Sequence, residues 1–194
     1  TRRMYGLDNK DLAATASNYL LARRLVERGV RFVQVYNGGA LGSPRINWDA
    51  HEDLVRNHGN QARHLDQPCA ALLKDLKQRG LLDDTLVVWG GEFGRLPIAQ
   101  IRPGSDPKKA GRDHGPAGFS IWMAGAGIRG GTVYGTTDEI GYRAVEKRVS
   151  VADWHATMLH ALGMHHEDLY FDRHGFRERL TGTDQVRVVE ELFA

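Results

Sequence analysis

A mixed α/β fold with a mostly parallel sheet is predicted by three observations. Two β-prone runs, RFVQVY at residues 31–36 and TLVVWGG at residues 85–91, flank a long amphipathic helical pattern. A helix joining two strands through short links is a βαβ unit, whose default is a right-handed parallel pair. A third run, FSIWMAG at residues 119–125, follows with no crossover helix in residues 92–117, so it is expected to run antiparallel to its predecessor.

From residue 8 to residue 28, Leu12, Ala16, Tyr19, Leu20 and Val26 recur at helical spacing, and Gly29 stands where a helix-terminating glycine belongs. Residues 31–36, bounded by NGG, read as a short buried strand. After a loop through Trp48, the second helix places Leu65, Cys69, Leu72, Leu73 and Leu76 on one face and closes at Gly80. Pro68 predicts either a kink there or a restart with Asp66 as N-cap.

Residues 92–117 carry Pro97, Pro103 and Pro107 among several glycines and show no period, which predicts a long functional or mobile loop. GGTVYG, residues 130–135, suggests a turn into an edge strand. Ser150 with Asp153 forms a capping box for the helix VADWHATMLHALG, and a last short helix is expected over about residues 184–193.

The 194 residues suit one domain with a real core. Lys+Arg 26 against Asp+Glu 24 leaves no charge excess for a polyanion, and neither a basic stripe nor an aromatic platform supports nucleic-acid binding. A single cysteine, Cys69, excludes an internal disulfide framework and lies on the apolar helix face as a small core residue. No apolar run approaches the roughly 20 residues of a membrane span. The opening TRRMYG has no initiator Met, so the chain is expected to be part of a longer protein.

Ligands in open α/β sheets gather beyond the carboxyl ends of the strands. One loop leaving such an end carries WDAHEDLVRNH, another begins at Glu92, and GRDHGP precedes the strand at 119–125. Asp49, His51, Glu92 and His114 therefore form the predicted metal-ligand set, since oxygen and imidazole donors together suit zinc, manganese or iron. For His114 to meet Glu92, the strand at 119–125 must start where 85–91 ends, which again requires the antiparallel pairing. Gly90, Gly91 and Gly94 would permit close backbone approach or positive φ near Glu92.

Arg95 and Arg112 are the predicted anion-binding pair, able to grip sulfate or phosphate bidentately. Asp113 and His58 are reserve ligands. The plain alternatives are that Glu92 marks a turn beside Arg95 and that each arginine is simply exposed. His155 and His160 read as a core or rim pair, and His165 and His166 as helix-end cations. No nucleophile elbow, P-loop or dinucleotide glycine motif is present, and GAGIRGG has no helix after it.

WDAH, ALLKDLKQRGLLDDTLVVWGGEFGR, GRDHGP and VSVADWHATMLHALGM, in that order, closely resemble the bacterial family called domain of unknown function 1501, similar to the sulfatases of the alkaline phosphatase superfamily. The resemblance implies an alkaline-phosphatase-like three-layer sandwich, present in part, over residues 1–194. It also implies a divalent metal (zinc, manganese, calcium or iron), a small-molecule or polysaccharide sulfate or phosphate ester as substrate, and an exported or periplasmic location. In the relatives a strand of the TLVV type ends in a metal-binding Asp-His pair; here Glu92 and Phe93 take those places, and a phenyl ring cannot coordinate. The relatives' first metal-binding Asp and their nucleophile lie on an earlier strand and helix, expected to fall outside this chain. The competing expectations are a metal-dependent hydrolase, a phosphomutase using the same site, and a non-catalytic module that keeps the fold.

Overall fold

The structure is a computed structural model that describes residues 1–38, 46–182 and 185–194. A short helix α1 (Arg2–Tyr5) leads through an Asn9 turn into α2 (Ala13–Glu27), which packs against the long α3 (Leu54–Gln78). The apolar periodicity explains this pairing. Tyr5, Ala16, Tyr19, Leu20, Cys69, Ala71, Leu72 and Leu76 interlock as one core, with Cys69 inside as expected.

Both long helices end in the same way. The Gly29 and Gly80 N–H groups bond back to Val26 and Lys77, and Val30 and Leu81 to Leu25 and Leu76, with each glycine at positive φ. Helix α3 runs through Pro68 without a break and does not restart at Asp66. Pro68 is buried among the core residues, and tertiary packing outweighs the single backbone bond the ring removes.

The strands depart from the predicted sheet. Four two-stranded antiparallel sheets are present among the described residues, and no parallel pair is. Strand β1 (Val87–Trp89) pairs with β4 (Trp122–Ala124) in the expected antiparallel sense, Trp89 opposite Trp122. Residues 31–36 form no ladder with a described residue. Their exposure alternates as in a strand, with Phe32 and Tyr36 about four-fifths exposed and Val35 against the helical core, but β1 is bonded only to β4. Local β preference does not by itself supply a ladder partner, and none is present among the described residues.

The stretch at 92–117 is not a loop. It folds as a hairpin of β2 (Gly94–Gln100) and β3 (Gly111–Gly115), with a register shift between Arg95 and Ala99. Pro97 is tolerated because β2 has a ladder neighbour on one side only. The edge strand expected at 130–135 appears later, as the β5 (Thr136–Thr137) and β6 (Ala144–Glu146) hairpin.

Ser150 and Asp153 close the predicted capping box on α4 (Val151–Ala161). The β7 (Tyr170–Arg173) and β8 (Phe176–Arg179) hairpin follows. In place of a terminal helix there is one 3-10 turn, Glu190–Leu192; the start expected at Asp184 lies outside the described residues. The tail is fastened to α4 by Val189 N–H on Thr157 Oγ1 at 3.0 Å and Arg187 N–H on Asp153 Oδ1 at 2.9 Å. Among the described residues no helix is long and apolar enough to cross a membrane.

Candidate metal centre

Residues 46–53 carry Asp49 and His51 and are held from two sides. On one side the first turns of α3 tie them down: Asn57 Nδ2 donates to the Glu52 and Asp53 carbonyls, Asn57 Oδ1 accepts from Asn47 N–H, and Gln61 Nε2 donates to Ile46 O. Asn57 and Gln61 are both buried, so these bonds are shielded from water. On the other side the hairpin adds its backbone: Arg112 N–H donates to Ala50 O, Asp53 N–H to Lys109 O, and Glu52 bridges Ala110.

The same hairpin delivers the remaining groups. His114 on β3 stands opposite Arg95 on β2, and both reach Asp49. Around Asp49 Oδ1 lie Arg95 Nη2 at 2.6 Å, His114 Nε2 at 2.9 Å and His51 Nε2 at 3.0 Å; the two imidazole nitrogens are 3.1 Å apart. The Asp49 carboxyl is held down at about 2, first by its hydrogen bond to His114 and then by that to Arg95.

Gln100 Oε1 lies 2.8 Å from His51 Nδ1, and because an amide oxygen only accepts, the contact favours the His51 tautomer with its proton on Nδ1. In that tautomer Nε2 presents a lone pair toward the Asp49 carboxylate oxygen. A single proton on His114 Nε2 can bridge to both, and a cation can do the same more fully.

Donors on a metal with bonds of about 2.0–2.2 Å lie roughly 3.0 Å apart in octahedral and 3.4 Å apart in tetrahedral arrangement. The observed edges of 2.9, 3.0 and 3.1 Å meet that demand. The three residues are the set of ligand-bearing groups that converge among the described residues, all ligand atoms within 4.8 Å of one another. Gln100 on the far nitrogen of His51 and Arg95 on the carboxylate are the outer partners such ligands characteristically have. Asp49 and His114 are exposed, which leaves the open side that a reacting group needs.

Three of the four predicted ligands thus come together, and Glu92 is not among them. It lies exposed in the turn between β1 and β2 and makes no hydrogen bond or ion pair with a described residue. Phe93 packs on the His114 imidazole with ring centroids 4.3 Å apart, so this phenyl steadies a candidate ligand ring. Close approach holds at Gly90, where a Cβ would sit 2.5 Å from Ile121, and at Gly94, 2.8 Å from Phe119; neither has positive φ, nor does Gly91.

The predicted anion pair is partly committed. Arg95 also donates to Trp48 O and Arg112 O, whereas Arg112 gives one bond, to Leu96 O at 3.3 Å, and keeps donors to spare. Both line one open cleft with His58, Leu54 and Ile140. His58 lies over Trp48 and sits 2.9 Å from its carbonyl, supporting that residue outside the cluster. Asp113 accepts from His114 N–H and is 3.8 Å from His51 Nδ1, an outer position. Gln100 and Gly111 were not predicted. The signal for them was the β-prone LPIAQI between Gly94 and the Pro103-Gly104 turn.

The family model described as "Protein of unknown function (DUF1501)" matches residues 1–193. The chain belongs to the DUF1501 family. No curated protein and no solved structure matches it. What this DUF1501 chain does must therefore be argued from the cluster itself.

Proposed function

We propose that the chain is a metal-dependent hydrolase domain of the sulfatase or phosphatase type, in the alkaline phosphatase superfamily, acting on sulfate or phosphate esters of small molecules or polysaccharides. The observation that carries this reading is the triangle of Asp49, His51 and His114, with Gln100 Oε1 2.8 Å from the far ring nitrogen of His51. Zinc, manganese and iron suit this nitrogen and oxygen set; calcium, which takes oxygen ligands, fits it less well. When bound, such an ion would stabilise charge on the transferring group and lower the pKa of an attacking hydroxyl.

The chain's own residues then have separable tasks. Gln100 favours the His51 proton on Nδ1, His114 and then Arg95 keep Asp49 ionised, Phe93 packs on the His114 ring, and Arg112 offers its remaining donors to non-bridging oxygens. No described Ser, Thr or Cys side chain hydrogen-bonds to the three central residues. Cys69 is unsuited to attack, because burial pushes its thiol up and encloses it in the helical core.

A second reading has its own observation. Arg95 already neutralises Asp49 at 2.6 Å, as it would in a non-catalytic module whose cluster serves only to pin the hairpin to residues 49–53. Titration calorimetry with Zn²⁺ and Mn²⁺, followed by aryl sulfate and aryl phosphate assays, separates the two. Metal binding and metal-dependent hydrolysis, both lost in His114→Ala, are expected; failure of the full chain to bind either ion would overturn the hydrolase reading.

A further inference from the structure

Beside the triad lies a cavity of about 290 Å³. His51 and Gln100 form one wall, so it opens directly onto the cluster. Its other walls bring in Arg56 from α3, Arg102 and Lys109 from the segment joining β2 to β3, and the Ser105 hydroxyl. The acidic groups facing it are Glu52 and Asp53, and Glu52 lies 3.8 Å from Arg102.

Arg56 and Lys109 make no side-chain hydrogen bond or ion pair with a described residue. Three cations therefore line the cavity, and among the described residues Arg102 alone of them has an acidic partner. Among the described residues the Val55 and Arg56 N–H groups, at the first turn of the 25-residue α3, also lack acceptors and add to the positive field. The cavity does not belong to the Arg95 and Arg112 pair, which lines the other cleft.

We propose that this cavity is a second anion subsite, and that the substrate is polyanionic: one ester group lies at Asp49, His51 and His114 while a second sulfate or phosphate of the same molecule sits between Arg56, Arg102 and Lys109. The inference rests on the hydrolase reading for the first group only. A sulfated glycan meets this demand, carrying repeated anions at the spacing of adjacent sugar positions. The subsite makes specificity depend on charge count, and charge-assisted bonds to a guanidinium and an ammonium are strong enough to set it.

The test uses the full chain, titrated calorimetrically with a disulfated disaccharide and with the monosulfated form of the same sugar. The wild type is expected to bind the disulfated sugar about tenfold more tightly, the increment of one good charge-assisted contact. Arg102→Ala with Lys109→Ala, both at exposed positions, is expected to erase that preference, and Lys109→Glu to reverse it. His114→Ala should still bind the monosulfated sugar in a manner that Lys109→Glu abolishes. Equal affinities for the two sugars in the wild type, or a preference that survives both variants, would overturn the subsite even if the triad hydrolyses esters. Lys109-dependent binding in a chain with no metal-dependent hydrolysis would uphold the subsite and sink the hydrolase reading instead.

Discussion

Gly111 lies so close to His51 that a Cβ built on it would sit 2.0 Å from the His51 carbonyl carbon and 2.2 Å from its oxygen. That contact is the hinge of the site, because it lets β3 run against residues 50–54 and carries His114 to His51. Any side chain at 111 must push the hairpin away. Gly111→Ala is expected to destabilise the fold by about 1–3 kcal/mol, the range for overpacking, and to weaken metal binding more than its stability loss implies. Thermal melting and calorimetry on the same sample would check both. Unchanged metal affinity would show that the hairpin does not set the triangle.

The outer partners give a second expectation. Gln100→Leu removes the acceptor from His51 Nδ1, frees the tautomer, and should cost about 10–100-fold in metal affinity, with little change in melting temperature because Gln100 is only half-buried. Glu92→Ala is the matched control. Glu92 stands outside the cluster, so its removal should leave the affinity within about twofold, whereas a loss as large as that of His114→Ala would restore Glu92 as a ligand.

Much of this was legible from the residues, and the failures share one cause. Helices α2, α3 and α4 follow from 3.6-residue periodicity, closing glycines and the Ser150 capping box, all local signals. Asp49, His51 and His114 were legible as oxygen and imidazole donors in the loops at the strand ends, but the β2–β3 hairpin that unites them was not, and the antiparallel pairing of β1 with β4 was expected for a meeting of His114 with Glu92 that does not occur. Ladder partners are non-local. Residues 31–36 have the composition of a strand but no ladder partner among the described residues, and residues 94–115 make a hairpin despite Pro97. Gln100 could not be found without that hairpin, since its role depends on lying across from residues 111 and 51.

The acidity of Asp49 can be dissected by substitution. Its carboxyl is depressed to about 2, with the His114 bond the larger cause and the Arg95 bond the next. A depressed carboxyl stabilises the fold fully above its ordinary range near 4 and loses that contribution as pH falls through about 2. Because Asp49 is more than half exposed, the stability at stake is under about 1 kcal/mol. Carboxyl-carbon NMR titration of the metal-free chain should show Asp49 rising in both His114→Ala and Arg95→Ala, further in the first. A larger rise in Arg95→Ala would reverse the assigned order.

The strongest stability prediction lies away from the site, at Asp75. Its Oδ2 accepts from Tyr5 Oη at 3.0 Å and Arg23 Nε at 2.8 Å, and its Oδ1 from Arg79 Nε at 2.8 Å; Tyr5, Arg23 and Asp75 are all buried. Burial pushes the Asp75 carboxyl up, but the bonds from Arg79, Tyr5 and Arg23 outweigh it and hold the carboxyl below its usual range. Tyr5 responds in the opposite sense, its phenol raised by burial and by the Asp75 charge. Asp75→Ala leaves the buried Arg23 with Glu27 as its remaining acidic partner among the described residues and should cost up to about 3–5 kcal/mol, the range for breaking a buried pair. Tyr5→Phe, which removes one of three donors, should cost about 1 kcal/mol. The sign with pH follows from the lowered carboxyl: the stabilisation is whole above about 4 and disappears as pH falls through the folded-state value. Urea unfolding of wild type and Asp75→Asn should therefore differ most at neutral pH and converge below about pH 4. A gap that stays constant down to pH 2 would mean that the Asp75 charge is not what closes α1, α2 and α3 together.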